Sequence, residues 1–221
     1  SSASLQSSKP ANSTASQSSQ PSEQEEEWVS PTGMEPYTSK ALYEYYEGKP
    51  ELKEYYYDYL VPAPLVGSIW SDENDFPTYS FVIWLYQNMS EEERSQHVKQ
   101  VDLYNNGTAY PVMDADFVEK SVSALFDLDG EKLRKVPDAQ YSTEYQAYEV
   151  GWLGIGERMV NVITDAIKTS EEITLTVYRV YSQNFEQGNY TQQLDEYENC
   201  FQMHIYPQKD GSVKYGPSTK P

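Results

Sequence analysis

Trp152 stands between Gly151 and Gly154, with Tyr145 and Tyr148 just ahead of it. If the tyrosines lie on a strand that runs into a glycine-bearing turn, the group is an aromatic platform. A sugar ring or an extended peptide can stack there, because the glycines place no side chain over the indole. The same indole folded back would plug the end of a sheet core, as tryptophan is highly buried on average. Trp152, Tyr145 and Tyr148 are therefore the ligand-binding candidates, with sheet packing as the competing role for Trp152.

Other constellations carry less chemistry. Gly151, Gly154 and Gly156 lack the order of a dinucleotide-binding fingerprint and precede a strand, so no helix N-terminus is at hand for a phosphate; an inter-strand turn is expected there. Cys200 and His204 share one face of a predicted strand but stand roughly 13 Å apart, too far to chelate one ion. His97 lies on a polar helix face. Asp127, Asp129 and Glu131 form one oxygen-rich cluster and Asp72, Glu73 and Asp75 another, yet neither has the spacing of a helix-loop-helix calcium loop. Solvated helix ends are the default, with a weak surface calcium site as the alternative. No serine-hydrolase elbow, zinc-protease helix motif or Cys/His couple is present. The expectation is accordingly no catalytic residue, no metal ligand and no cofactor.

Charge narrows the partners. With 35 acidic against 16 basic side chains the chain carries a formal net charge of -19. Binding to nucleic acid or anionic lipid through a general basic surface is disfavoured. A neutral or cationic partner, a glycan or a peptide, suits it better, and the chain is expected to be a monomer. The one cysteine, Cys200, cannot form an internal disulfide and is expected to pack beside Phe201, Met203 and Ile205 in a sheet. Asn12, Asn88, Asn106 and Asn189 begin Asn-x-Ser/Thr sequences, which matter only in a eukaryotic secretory pathway.

The elements that must position these groups follow from periodicity. Residues 157–216 read as an antiparallel meander, with polar turns before Glu172 and at Lys209-Asp210-Gly211. Pro36 and Pro50 each suit a first helical turn, so two short tyrosine-rich helices separated by Gly48 are expected before Leu60. Phe76 to Met89 forms the most hydrophobic run, a mostly buried helix with Asp75 or Asp72 as N-cap. Ser90 and Glu93 spell a capping box for a polar helix from Glu91 to about Val101. Asn105-Asn106-Gly107 signals a tight turn between two small strands. Asp114 is expected to cap a helix with Val118, Val122 and Leu125 on its apolar stripe, ending at Gly130. The whole is an α+β fold: a four- or five-stranded antiparallel sheet from the C-terminal third, helices on one face, in a cystatin-like or NTF2-like arrangement.

Residues 1–27 contain ten serines and only one large aliphatic side chain, Leu5. Such a segment cannot offset the entropy of ordering itself, and a disordered acidic tether is expected. A single α+β domain is expected over 28–221, mainly helical over 28–140 and mainly antiparallel sheet over 141–221. The start at Ser1 instead of Met suggests either a processed chain or one trimmed of an upstream part.

A Ser/Gln/Ala-rich acidic tether leading into one Tyr-rich acidic domain resembles the mature part of Gram-positive bacterial surface lipoproteins. From Asp114 onward, the capped helix ending in Phe126, the tyrosine-spaced strand and Gly151-Trp152-x-Gly154 are similar to uncharacterised domains of such lipoproteins. The resemblance implies an extracytoplasmic protein on the outer face of the membrane, held by a lipid anchor upstream of Ser1. It implies no activity. A non-catalytic binding or interaction module is the first functional expectation. The second is a small carboxylate-based, glycosidase-like hydrolase with an aromatic cleft, since acids are abundant beside Tyr and Trp.

Overall fold

The computed structural model describes residues 40–151, 159–188 and 199–221. The N-terminal tether, Trp152, Gly154 and Gly156 lie outside the described residues. The described chain begins with the two tyrosine-rich helices, α1 (Lys40–Tyr46) and α2 (Pro50–Tyr55), and α2 runs on as a wider π-helical turn over Tyr56–Leu60. Gly48, at φ 77°, takes the left-handed conformation that separates them, and Pro50 opens α2 where its missing N–H costs nothing.

Helix α3 (Thr78–Asn88) buries Thr78, Phe81, Val82, Ile83 and Leu85. Asp75 does not cap it. Its carboxylate instead takes the N–H groups of Ser71 and Asp72 and the Ser71 hydroxyl, closing the turn ahead of the helix and holding the Asp75 carboxyl below the usual range. Helix α4 (Glu91–His97) starts with both bonds of the capping box between Ser90 and Glu93. It stops at His97, not near Val101, because the chain passes directly into strand β1 (Val98–Val101), whose β-branched ends suit a strand.

Strand β1 pairs with β2 (Tyr110–Asp114) across the Asn105-Asn106-Gly107 loop, in a register that joins Val101 to Tyr110. Helix α5 (Ala115–Leu125) follows at once and buries Val118 and Val122. Asp114 sits at its N-cap position without bonding a helix N–H; its carboxylate holds Lys99 at 2.9 Å and faces His97 at 3.7 Å. Gly130 begins a 3-10 turn (Gly130–Lys135) that passes so close to α5 that a Cβ there would lie 2.3 Å from the Glu119 carbonyl oxygen.

Two short strands, β3 (Tyr141–Ser142) and β4 (Ala147–Glu149), then complete a first sheet in the order β1-β2-β4-β3. The second sheet is the expected meander: β5 (Met159–Lys168), β6 (Ile173–Tyr181), β7 (Cys200–Pro207) and β8 (Val213–Tyr215), in chain order. A short helix, α6 (Ser182–Glu186), follows β6. The α+β class and the C-terminal antiparallel sheet are as the pattern indicates. The difference is the first sheet: the tyrosine-spaced strands join the hairpin at 98–114 instead of extending the meander, so a one-sheet, cystatin-like or NTF2-like arrangement becomes a two-sheet one. Hydrophobic alternation specifies which face of a strand is buried but not which strand lies beside it.

One contiguous hydrophobic cluster runs from Leu42 to Tyr215 and takes side chains from both sheets and the helices. On the second sheet, Ile173, Leu175 and Val177 align with Ile205, Met203 and Phe201 on the core face. Cys200 is buried as expected, but alternation puts it on the opposite face, across from Tyr178, whose hydroxyl it meets. The open edge of β5 is managed by tyrosines. Tyr45 donates its hydroxyl to the Ile163 carbonyl at 3.0 Å, and the Ile163 N–H donates to the Tyr46 hydroxyl at 3.0 Å, beside the bulge between Ile163 and Asp165. Satisfying both backbone groups at an edge prevents an unprogrammed strand from pairing there. The density of tyrosine in α1 thus has a structural purpose.

Candidate functional site

The loop between β1 and β2 is built from its own polar side chains. The Asp102 carboxylate accepts the N–H groups of Asn106 and Gly107, and the Asn106 side-chain oxygen accepts that of Thr108. Asn105 and Gly107 take positive φ, at 52° and 76°, which asparagine and glycine tolerate. These bonds order the loop and hold Tyr104 out from it, 53% exposed. The Tyr104 ring meets Tyr110 edge-on at 5.0 Å, and its hydroxyl donates to the carboxylate of Glu149 on β4. Glu149 lies opposite Val112, which alternation places on the same face as Tyr110. Asn106 donates its side-chain N–H to the Tyr110 hydroxyl at 3.1 Å. Tyr145 reaches the same loop, its hydroxyl 3.5 Å from the Asp102 carbonyl oxygen. The result is an exposed aromatic surface around one carboxylate, on an ordered hairpin.

The candidates from sequence divide here. Tyr145 borders this surface. Tyr148 does not: it is wholly buried and its hydroxyl bonds the Glu119 carboxylate, so it presents no face to a ligand. Ala147 and Tyr148 point to opposite faces of β4 and both are covered, with Tyr148 opposite the buried Met113, while Tyr145 precedes the strand in a turn. Trp152 lies outside the described residues. Its neighbour Gly151 is pressed by Tyr79, whose hydroxyl occupies the space a Cβ would need, 1.9 Å away; the absent side chain serves packing. Tyr104, Tyr110 and Glu149 were missed by spacing. The available signal was a pair of tyrosines flanking Asn105-Asn106-Gly107, which a hairpin must bring together.

Glu149 sets the behaviour of Tyr104. The hydrogen bond to its carboxylate, more than desolvation, pushes the Tyr104 phenol up to about 12. A phenol raised in this way is stabilised in its neutral form, so its contribution to folding is complete below the ordinary tyrosine pKa of about 10 and is lost as pH rises through about 12. In NMR spectra of ring-labelled tyrosine, Tyr104 is expected to titrate close to pH 12, and Glu149→Gln to bring it down toward pH 10. Titration of Tyr104 near pH 10 in the unaltered protein would show that the carboxylate does not hold it.

A second constellation has the outline of a catalytic relay. His204 Nδ1 meets the Glu172 carboxylate and its Nε2 lies 2.7 Å from the Thr219 hydroxyl. Acyl transfer at such a hydroxyl needs backbone N–H donors free to hold an oxyanion. The N–H groups of Gly216, Ser218 and Thr219 instead donate to the carbonyls of His204, Ser68 and Gln202. The group is a polar cross-strand ladder on the outer face of the second sheet, tying the C-terminal segment to β7.

A shallow acidic depression of about 420 Å³ lies where Gly130 crosses α5, bordered by Asp116, Glu119, Asp129 and Glu131. Arg134 bonds Glu119 through two nitrogens, at 2.6 and 2.8 Å, and approaches Asp116 at 3.8 Å. Both carboxylates therefore serve one guanidinium. The Asp72, Glu73 and Asp75 cluster is likewise committed: Asp72 and Asp75 bond the turn, and Glu73 accepts from Asp129 N–H and Lys132. Among the described residues no group of three His, Cys, Asp or Glu side chains is placed to hold a metal ion, and no helix is long and apolar enough to cross a membrane.

Compared with protein-family models, curated proteins and solved structures, the chain matches none.

Proposed function

We propose that the folded region is a non-catalytic binding module that works outside the cytoplasm. It is displayed on the serine-rich segment 1–27 and held at the outer face of the membrane by a lipid anchor upstream of Ser1. The observation that carries the binding role is the ordered, exposed Tyr104–Tyr110–Glu149 surface. Large aromatic rings on a rigid hairpin give contact area at little entropic cost. Tyr145 contributes to the rim through its hydroxyl beside the loop, whereas Tyr148 is core. The commitment of His204's neighbouring N–H groups to carbonyls favours binding over acyl-transfer chemistry.

The test is a titration of the whole chain, followed by NMR, against a panel of neutral oligosaccharides and short peptides. Binding is expected to shift resonances of Tyr104 and Tyr110, and Tyr104→Ala to weaken it by about tenfold or more, as for loss of an aromatic anchor. Because Tyr104 is exposed, this substitution removes only its solvent-screened bond to Glu149 and should lower the unfolding midpoint slightly, with the protein still folded. A ligand whose affinity ignores Tyr104, or a panel that moves no resonance of this surface, overturns the assignment of the site.

A further inference from the structure

We infer that the ligand at the Tyr104 surface is a peptide segment that offers a lysine or arginine side chain. The inference rests on the binding-module reading and adds the chemistry of the partner. Glu149 is half-buried, and the hydrogen bond described for its carboxylate comes from the Tyr104 phenol. Among the described residues no cation pairs with it: Lys99 serves Asp114, and Arg134 serves Glu119 and Asp116. A carboxylate removed in part from water and left without a countercharge favours a cation brought by a partner. The rings beside it suit the same group. Tyr104 and Tyr110 meet edge to face, so the exposed Tyr104 ring can take a guanidinium or ammonium over its π-face while the carboxylate binds its N–H groups.

The remainder of the molecule points the same way. A net charge of -19 attracts basic segments over a Debye length and repels phosphates and anionic lipid. A neutral sugar can use the remaining O–H of Tyr110 and the acceptor sites of Tyr104, but it leaves the Glu149 carboxylate without a countercharge. A peptide suits the site better than a small free amine, because its backbone and neighbouring side chains can lie across the exposed Tyr104 ring while its basic side chain reaches Glu149.

The experiment uses the whole chain with three probes: a blocked pentapeptide of valines around a central arginine, the same peptide with uncharged citrulline in its place, and a neutral oligosaccharide. Calorimetry at low and at high salt gives the affinities. The arginine peptide is expected to bind at least about tenfold more tightly than the citrulline peptide at low salt, with the gap narrowing at high salt. Glu149→Gln should abolish the difference, and Tyr104→Leu should weaken both peptides; a cooperative unfolding transition shows that each variant is folded. Equal affinity for the two peptides, or a preference that survives Glu149→Gln, overturns the inference and leaves the binding-module reading intact. Tyr104-dependent binding of the oligosaccharide alone does the same. If no probe binds, the inference fails; the wider NMR panel then decides the module reading separately.

Discussion

Replacing Phe126 by alanine is expected to destabilise the protein by about 3–5 kcal/mol, the cost of truncating a buried aromatic whose cavity cannot collapse. Phe126 caps the end of α5 and is 1% exposed. Its ring meets Trp70 at 5.6 Å, Phe76 at 5.1 Å and Phe81 at 5.7 Å, all near edge to face. Four rings thus share one interior between α3, α5 and the loop ahead of α3. Against a typical domain stability of about 5–15 kcal/mol, the loss removes roughly a fifth or more of the margin. Phe126→Leu keeps much of the volume and should cost far less, about 1–2 kcal/mol. Urea unfolding of the two variants checks this. A Phe126→Ala loss below about 1 kcal/mol would mean that the aromatic group is not a packed interior.

Glu119→Ala is expected to be nearly as damaging, at about 3 kcal/mol, for a different reason. The Glu119 side chain is 5% exposed and joins Arg134 through two bonds while accepting the Tyr148 hydroxyl at 3.0 Å. Its removal leaves a buried phenol without an acceptor, which costs about 1–3 kcal/mol, and strands a guanidinium that lay over the Tyr141 ring. Arg134 is 37% exposed and recovers water, so the loss falls at the low end for breaking a buried pair. Burial pushes the Tyr148 phenol well above its ordinary range, which keeps it protonated and able to donate. Tyr148→Phe removes the donor with the ring intact and should cost only about 1 kcal/mol. In a double-mutant cycle the two changes should couple, because both delete the same bond. Additive losses would show that Tyr148 and Glu119 do not interact.

Much of the secondary structure was legible in advance. The Ser90–Glu93 capping box formed as spelled, and Gly48 with Pro50 divided the first two helices. The β5-β6-β7-β8 meander took the polar turns that punctuated it. These are local instructions: a side chain within three or four residues, or a glycine at a turn, decides the outcome. Asp75 and Asp114 failed as helix caps for an equally physical reason. Their carboxylates found partners outside the helix, in Ser71 and Asp72 for one and Lys99 for the other, and a residue's type does not reveal which competitor is nearer.

The candidate site was legible only in kind. An aromatic platform of Trp152, Tyr145 and Tyr148 was the expectation; Trp152 lies outside the described residues, Tyr148 is core and Tyr145 lies beside the surface found. Its centre, however, joins Tyr104 to Glu149, 45 residues apart, and that contact exists because β4 pairs with β2 and not with the meander. Composition by itself determined the charge, the poverty of packing side chains in 1–27 and the α+β balance, since these depend on residue type and short-range period. Tertiary structure alone decided which tyrosine would be core and which exposed. Tyr148 and Tyr104 have the same side chain, and only strand pairing and the closure of α5 over β4 bury one against Glu119 while the hairpin loop leaves the other in water.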